Sequence, residues 1–167
     1  MRAHKLPTPR VQAMTHTELI QRLEQASGPD RELGDAVLLA CGWTRSQRSK
    51  WNSARQKVGD GTLARDWFWV SPSGYEIEGH RRPDPTASLD AALTLVPEGA
   101  YGVCIDQYIV STKPHPLKWR VWMKHYETLA GDDDVTEIHT HYGTAPNPAL
   151  ALTIASLKAR DSLKGAG

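Results

Sequence analysis

Two histidines one residue apart, His139 and His141, combine the side-chain type and spacing most suited to chemistry in this sequence. In an extended strand, residues i and i+2 share a face, so both imidazoles would converge on one metal ion or phosphate. A metal would need at least a third ligand, and Glu137, two residues earlier on that face, is the nearest candidate. The competing reading is structural: two histidines lining a sheet face under a helix or in solvent give the same pattern. That reading is the more common one.

A second group is basic and aromatic. Arg45, Arg48, Lys50, Arg55 and Lys57 occur with no acidic residue before Asp60, and Trp51 lies among them. Such a run can hold phosphates and stack bases, although a solvated loop or helix face with Trp51 tucked into the core would look alike. In a third group, Arg81 and Arg82 precede the helix-start residues Thr86 and Ser88, where unpaired backbone donors and guanidinium groups could meet an anion. Of the six tryptophans, Trp51, Trp69, Trp119 and Trp122 have basic neighbours and could present stacking faces. The candidate ligand-binding residues are therefore Arg45, Arg48, Trp51, Arg55, Trp69, Arg81, Arg82, Thr86, Ser88, His139 and His141.

Other patterns fail. The histidine–threonine pair in His139-Thr140-His141 would suggest a phosphoesterase with two such motifs, but no second His-x-Thr or His-x-Ser accompanies it; His16-Thr17-Glu18 and His115-Pro116-Leu117 do not supply one. Asp132, Asp133 and Asp134 are consecutive and lack the spaced ligands and closing Glu of a calcium loop. The sequence has no Gly-rich phosphate loop, nucleophile elbow or cysteine cluster. No catalytic set, metal or cofactor is assigned.

These residues need elements to position them. Residues 1–13 show no periodicity and read as a disordered leader, with Met14 a second possible start. Thr15 and Glu18 form a capping box that opens a helix carrying Leu19, Ile20, Leu23 and Ala26 on one face. A second helix over residues 30–40 carries Leu33, Ala36, Val37 and Ala40 and stops at Gly42. The pair is unsuited to DNA reading, because Glu32 and Asp35 stand where a recognition helix needs basic and amide groups.

Strands are predicted at residues 67–70, 75–78, 101–110, 119–124 and 135–142. Between the second and third, residues 86–99 (TASLDAALTLVPEG) read as a helix with Leu89, Ala92, Leu93 and Val96 on one stripe, ended by Pro97 and Gly99. A closing helix begins at the N-cap Asn147 with Pro148 in its first turn, and buries Leu150, Ile154 and Leu157. The expected fold is α+β, with an antiparallel sheet of about five strands packed with helices in a single domain over residues 14–164.

The segments TASLDAALTLVPEG and NPALALTIASLKAR, with ELIQRLEQASGPDRELGDAV and the following Gly42-Trp43, resemble a family of small bacteriophage and prophage proteins with a phage α-β-α sandwich domain. That resemblance implies a phage-encoded soluble protein in the host bacterial cytoplasm, and it carries over no catalytic residues. The longer basic stretch after Thr44 and the histidines His139 and His141 depart from the family pattern.

The net charge of +1 predicts neither strong nucleic-acid affinity nor membrane-surface binding, and no apolar run is long enough to span a bilayer. Cys41 and Cys104 lie in apolar runs, as expected of reduced, buried thiols. The expected function is non-catalytic binding of a small anionic, nucleotide-type host defence signal, with homo-oligomerisation open. The alternatives are an adaptor or inhibitor engaging a host protein, and a metal-dependent or histidine-dependent phosphoesterase using His139 and His141.

Overall fold

The computed structural model describes residues 14–49, 65–108, 118–128 and 136–165. The described elements run, in order, α1 (His16–Gln25), α2 (Arg31–Ala40), β1 (Thr44–Ser49), β2 (Arg65–Val70), β3 (Glu76–Glu78), a 3-10 turn (Gly79–Arg81), α3 (Leu89–Leu93), β4 (Ala100–Tyr108), β5 (Lys118–Thr128), β6 (Thr136–Ala145) and α4 (Pro148–Gly165). The fold is α+β, and all described strand pairs are antiparallel. The leader at residues 1–13 lies outside the described residues.

The helix ends follow their local chemistry. Thr15 and Glu18 close the expected capping box, with Thr15 N–H donating to Glu18 Oε2 at 2.8 Å and Glu18 N–H donating to Thr15 Oγ1 at 3.3 Å. Asp30 caps α2 by accepting from the amides of Glu32 and Leu33. At the other end of α2, Gly42 takes φ +87°, Trp43 N–H donates to Leu38 O at 3.0 Å, and Gly42 N–H donates to Leu39 O at 3.1 Å. This is a Schellman turn, and it folds Trp43 and Leu38 together into the core.

The strands form two sheets of three, ordered β1-β2-β3 and β4-β5-β6. The expected single sheet of about five strands is thus divided, and β1 is an addition to it. Residues 44–49 (TRSQRS) lack apolar alternation, so they read as loop or helix face; their strand is held by its ladder to β2. The chain between the sheets crosses the helical side of the molecule. There Gly34 of α2 lets Asp84 approach closely: a Cβ at Gly34 would stand 2.8 Å from Asp84 Oδ1.

The expected helix in residues 86–99 is much shorter. Ser88 is its N-cap, accepting from Ala91 N–H at 3.3 Å, but α3 has five residues and ends where Thr94 Oγ1 donates back to Ala91 O at 2.7 Å. The buried side is Ala91, Ala92 and Leu95, and Leu93, expected inward, is exposed. Thr86 is not a helix residue. It is fully buried, and its hydroxyl lies 2.6 Å from Asp84 Oδ1 while accepting from Asp30 N–H at 2.9 Å.

The packing centre is α4. Asn147 Oδ1 caps it by accepting from Leu150 N–H at 2.8 Å. Leu150, Leu152, Ile154 and Leu157 are fully buried, as are Ala151, Ala155, Ala159, Thr153 and Ser156. A helix buried on nearly every side belongs in the middle of a core, and α4 packs on β5 and β6 as well as on α1 and α3. Each buried Leu or Ile contributes roughly 1.5–3 kcal/mol.

Gly143 of β6 makes this possible. A Cβ there would collide with Ala151 O and stand 2.8 Å from Ala155 N, so backbone meets backbone at the helix–sheet contact. Gly143→Ala is expected to lower unfolding free energy by at least about 2 kcal/mol in urea denaturation, since neither backbone can yield without shifting α4. Stability equal to the parent would contradict this contact.

Candidate functional site

The histidines expected from spacing do share a face, and the fold adds a third. On β5, Val121, Met123 and His125 point into the core while Arg120, Trp122 and Lys124 alternate outward. His125 stands directly opposite His139, and His141 is opposite Met123. The His125 and His139 rings stack with centroids 4.9 Å apart. The His125 and His141 rings are nearly parallel, and His141 Nε2 lies 2.9 Å from His125 Nδ1. One of these two nitrogens donates and the other accepts. His125 shares the inward parity of Met123, two residues before it on the strand.

This arrangement spends a nitrogen of His141 on another ring rather than on a ligand. Among the described residues, no group of three or more His, Cys, Asp or Glu side chains is arranged to hold a metal ion. The Glu137 side chain, expected as third ligand, lies outside the described residues, as do the consecutive aspartates at 132–134. Burial lowers the pKa of His141, and the charges of His125 and His139 lower it further.

A different group assembles on the first sheet. Arg45 is opposite Trp69, and position 47 of β1 is opposite Trp67, so Arg45, Trp67 and Trp69 share one face. The Arg45 guanidinium carbon lies 5.1 Å from the Trp67 ring centroid and 5.4 Å from that of Trp69, within cation–π range of both. Trp69 is buried and anchors the group, whereas Trp67 is 39% exposed and keeps part of its indole open to solvent. Trp67 was not among the sequence candidates, although its i+2 spacing from Trp69 places it on the same face.

Beside this group sits an ion pair. Arg82 Nη1 donates to Asp35 Oδ2 at 2.6 Å, with both side chains largely buried. Burial raises the pKa of Asp35, opposed by the positive charges of Arg82, Arg45 and Arg31. A carboxyl raised on folding contributes most at low pH, and that contribution is lost as pH rises into the raised range. The ionised Asp35 therefore depends on Arg82 for compensation at neutral pH.

The fold thus brings together Arg45, Trp69 and Arg82 of the eleven candidates. Thr86 is separated from them in role, because its hydroxyl is used between Asp84 and Asp30. Ser88 caps a helix of five residues, and Arg81 is exposed at the end of the 3-10 turn. Trp51 and Arg55 lie outside the described residues, and the described part of Arg48 is its backbone in β1.

No family model, curated protein or solved structure matches this chain. No helix among the described residues is long and apolar enough to cross a membrane.

Two measurements check the electrostatics. Asp35→Ala alone is expected to cost roughly 2 kcal/mol, between the values for exposed and fully buried pairs. In an Arg82→Ala background it should cost far less, and equal costs would show that the pair is not coupled. For His141, the folded chain refuses a proton that the unfolded chain accepts near pH 6.5. Stability is therefore lost as pH falls from about 6.5 toward the lowered folded pKa. His141→Gln should flatten that loss in urea melts at successive pH values; a slope identical to the parent's would contradict it.

Proposed function

We propose that this chain is a phage-encoded, non-catalytic binding protein that sequesters a small anionic, nucleotide-type host defence signal in the bacterial cytoplasm. The observation that supports it best is the Arg45 guanidinium held over two indoles on the first sheet, with Trp67 partly open beside it. A phosphate would pair with the open side of Arg45, and a base would stack on Trp67. Arg82 serves by occupying Asp35, so that this carboxylate does not draw Arg45 away from a ligand. Residues 50–64 join β1 to β2 and add Lys50, Arg55 and Lys57 to the same region of the sequence.

The phage origin rests on the resemblance of the helical segments. A histidine-dependent phosphoesterase has less support, since His141 is hydrogen-bonded to His125 on the inner face of the other sheet. No specific contact favours a protein adaptor over ligand binding.

Isothermal titration against cyclic nucleotides and ADP-ribose-type nucleotides tests the reading. At least one member of the panel should bind, and Arg45→Ala should weaken it by about tenfold or more, as expected for loss of a charge-assisted contact. Absence of binding across the panel, or binding indifferent to Arg45→Ala, would overturn the proposal.

A further inference from the structure

The helices pack against one face of the β4-β5-β6 sheet, leaving alternate side chains on the other face. In the middle of that outward face, Trp122 of β5 stands directly opposite Tyr142 of β6. Tyr142 is 53% exposed and Ile138, further along β6, is 52% exposed, so neither is accounted for by the core. Arg120 and Lys124 lie two residues to either side of Trp122 on the same face, roughly 13 Å apart along the strand. The Arg120 guanidinium carbon lies 5.4 Å from the Tyr108 centroid, and the Lys124 ammonium lies 5.4 Å from that of Trp122. Asp106 is 3.7 Å from Arg120 and partly offsets its charge.

We propose that this outward face binds a short single strand of nucleic acid, with bases stacked on Trp122 and Tyr142 and phosphates on Arg120 and Lys124. The occupant follows from the pairing of chemistries. Adjacent π faces with cations on both sides complement a polymer that alternates planar bases with phosphates. A protein partner would be expected to meet a more continuous apolar centre, with charges kept to the rim. Duplex DNA is a poor fit, because its major groove admits a helix or a two-stranded ribbon rather than a three-stranded sheet face. The net charge of +1 implies that binding is modest and local rather than driven by the field of the whole molecule. This site is on a different sheet from Arg45 and Trp67, so either can exist without the other.

The test is fluorescence anisotropy of the full chain with labelled oligo-dT and oligo-rU of roughly 12 nucleotides, compared with a duplex of the same length. Single strands should bind better than duplex, and binding should weaken between about 50 and 200 mM salt. Trp122→Ala and Tyr142→Thr should each weaken binding about fivefold or more, with melting curves confirming that the variants fold. If Trp122→Ala does not fold, Lys124→Gln tests the same face through its charge and should also weaken binding. The proposal is overturned if single strands do not bind, if duplex binds equally well, or if folded variants bind like the parent. It is equally overturned if gel filtration shows the face buried between two copies, with Trp122→Ala dissociating the dimer and no strand bound.

Discussion

The structure depends on the approach of α4 to β6 at Gly143. With no side chain there, Ala151 and Ala155 of the helix lie against the strand backbone, and α4 is pressed into the middle of the molecule. The second sheet closes one side of it, and α1 and α3 pack on other sides. A side chain at Gly143 would lift α4 from β6 and loosen all of these contacts together.

Buried polar contacts fasten the rest to this centre. Thr153 in the middle of α4 donates to Pro85 O at 2.7 Å, and Arg160 near its end donates to Leu95 O at 2.8 Å. Thr86 ties the same connecting chain to the N-cap of α2, and Arg82 ties it to Asp35. The passage from the first sheet to the second is therefore held by hydrogen bonds more than by a long helix. Several residues with the chemistry of an anion site are used in this way. Among the candidate cations whose side chains are described, Arg45 is left on an aromatic surface instead.

Much of the helical framework could be read from the sequence because its signals are local. The Thr15–Glu18 box, the Asn147 cap and the Gly42 stop each act within a few residues and are present as expected, and Asp30, expected as the first residue of the second helix, is its N-cap. Strand β1 was not legible, because residues 44–49 are all polar or basic, with no apolar alternation, and their partner begins only after residues 50–64. The inward face of α3 departs from the periodic stripe because a five-residue helix does not sustain one; Leu95, beyond its end, is buried while Leu93 is exposed. At the candidate sites, spacing placed His139 and His141 on one face. Parity with Met123 puts His125 on the inward face, but only strand register could set it beside His139 and His141, or bring Arg45 over Trp67 and Trp69, since those pairings depend on contacts distant in sequence.

The central functional claim is that a nucleotide-type ligand sits on Arg45 and Trp67. Its most direct test is an NMR titration that follows the indole Nε1–H signals of all six tryptophans during addition of a bound nucleotide. Saturable shifts led by Trp67, with smaller changes at the buried Trp69 and little change at Trp122, are the expected result. Shifts led by Trp122, or by no tryptophan at all, would contradict it.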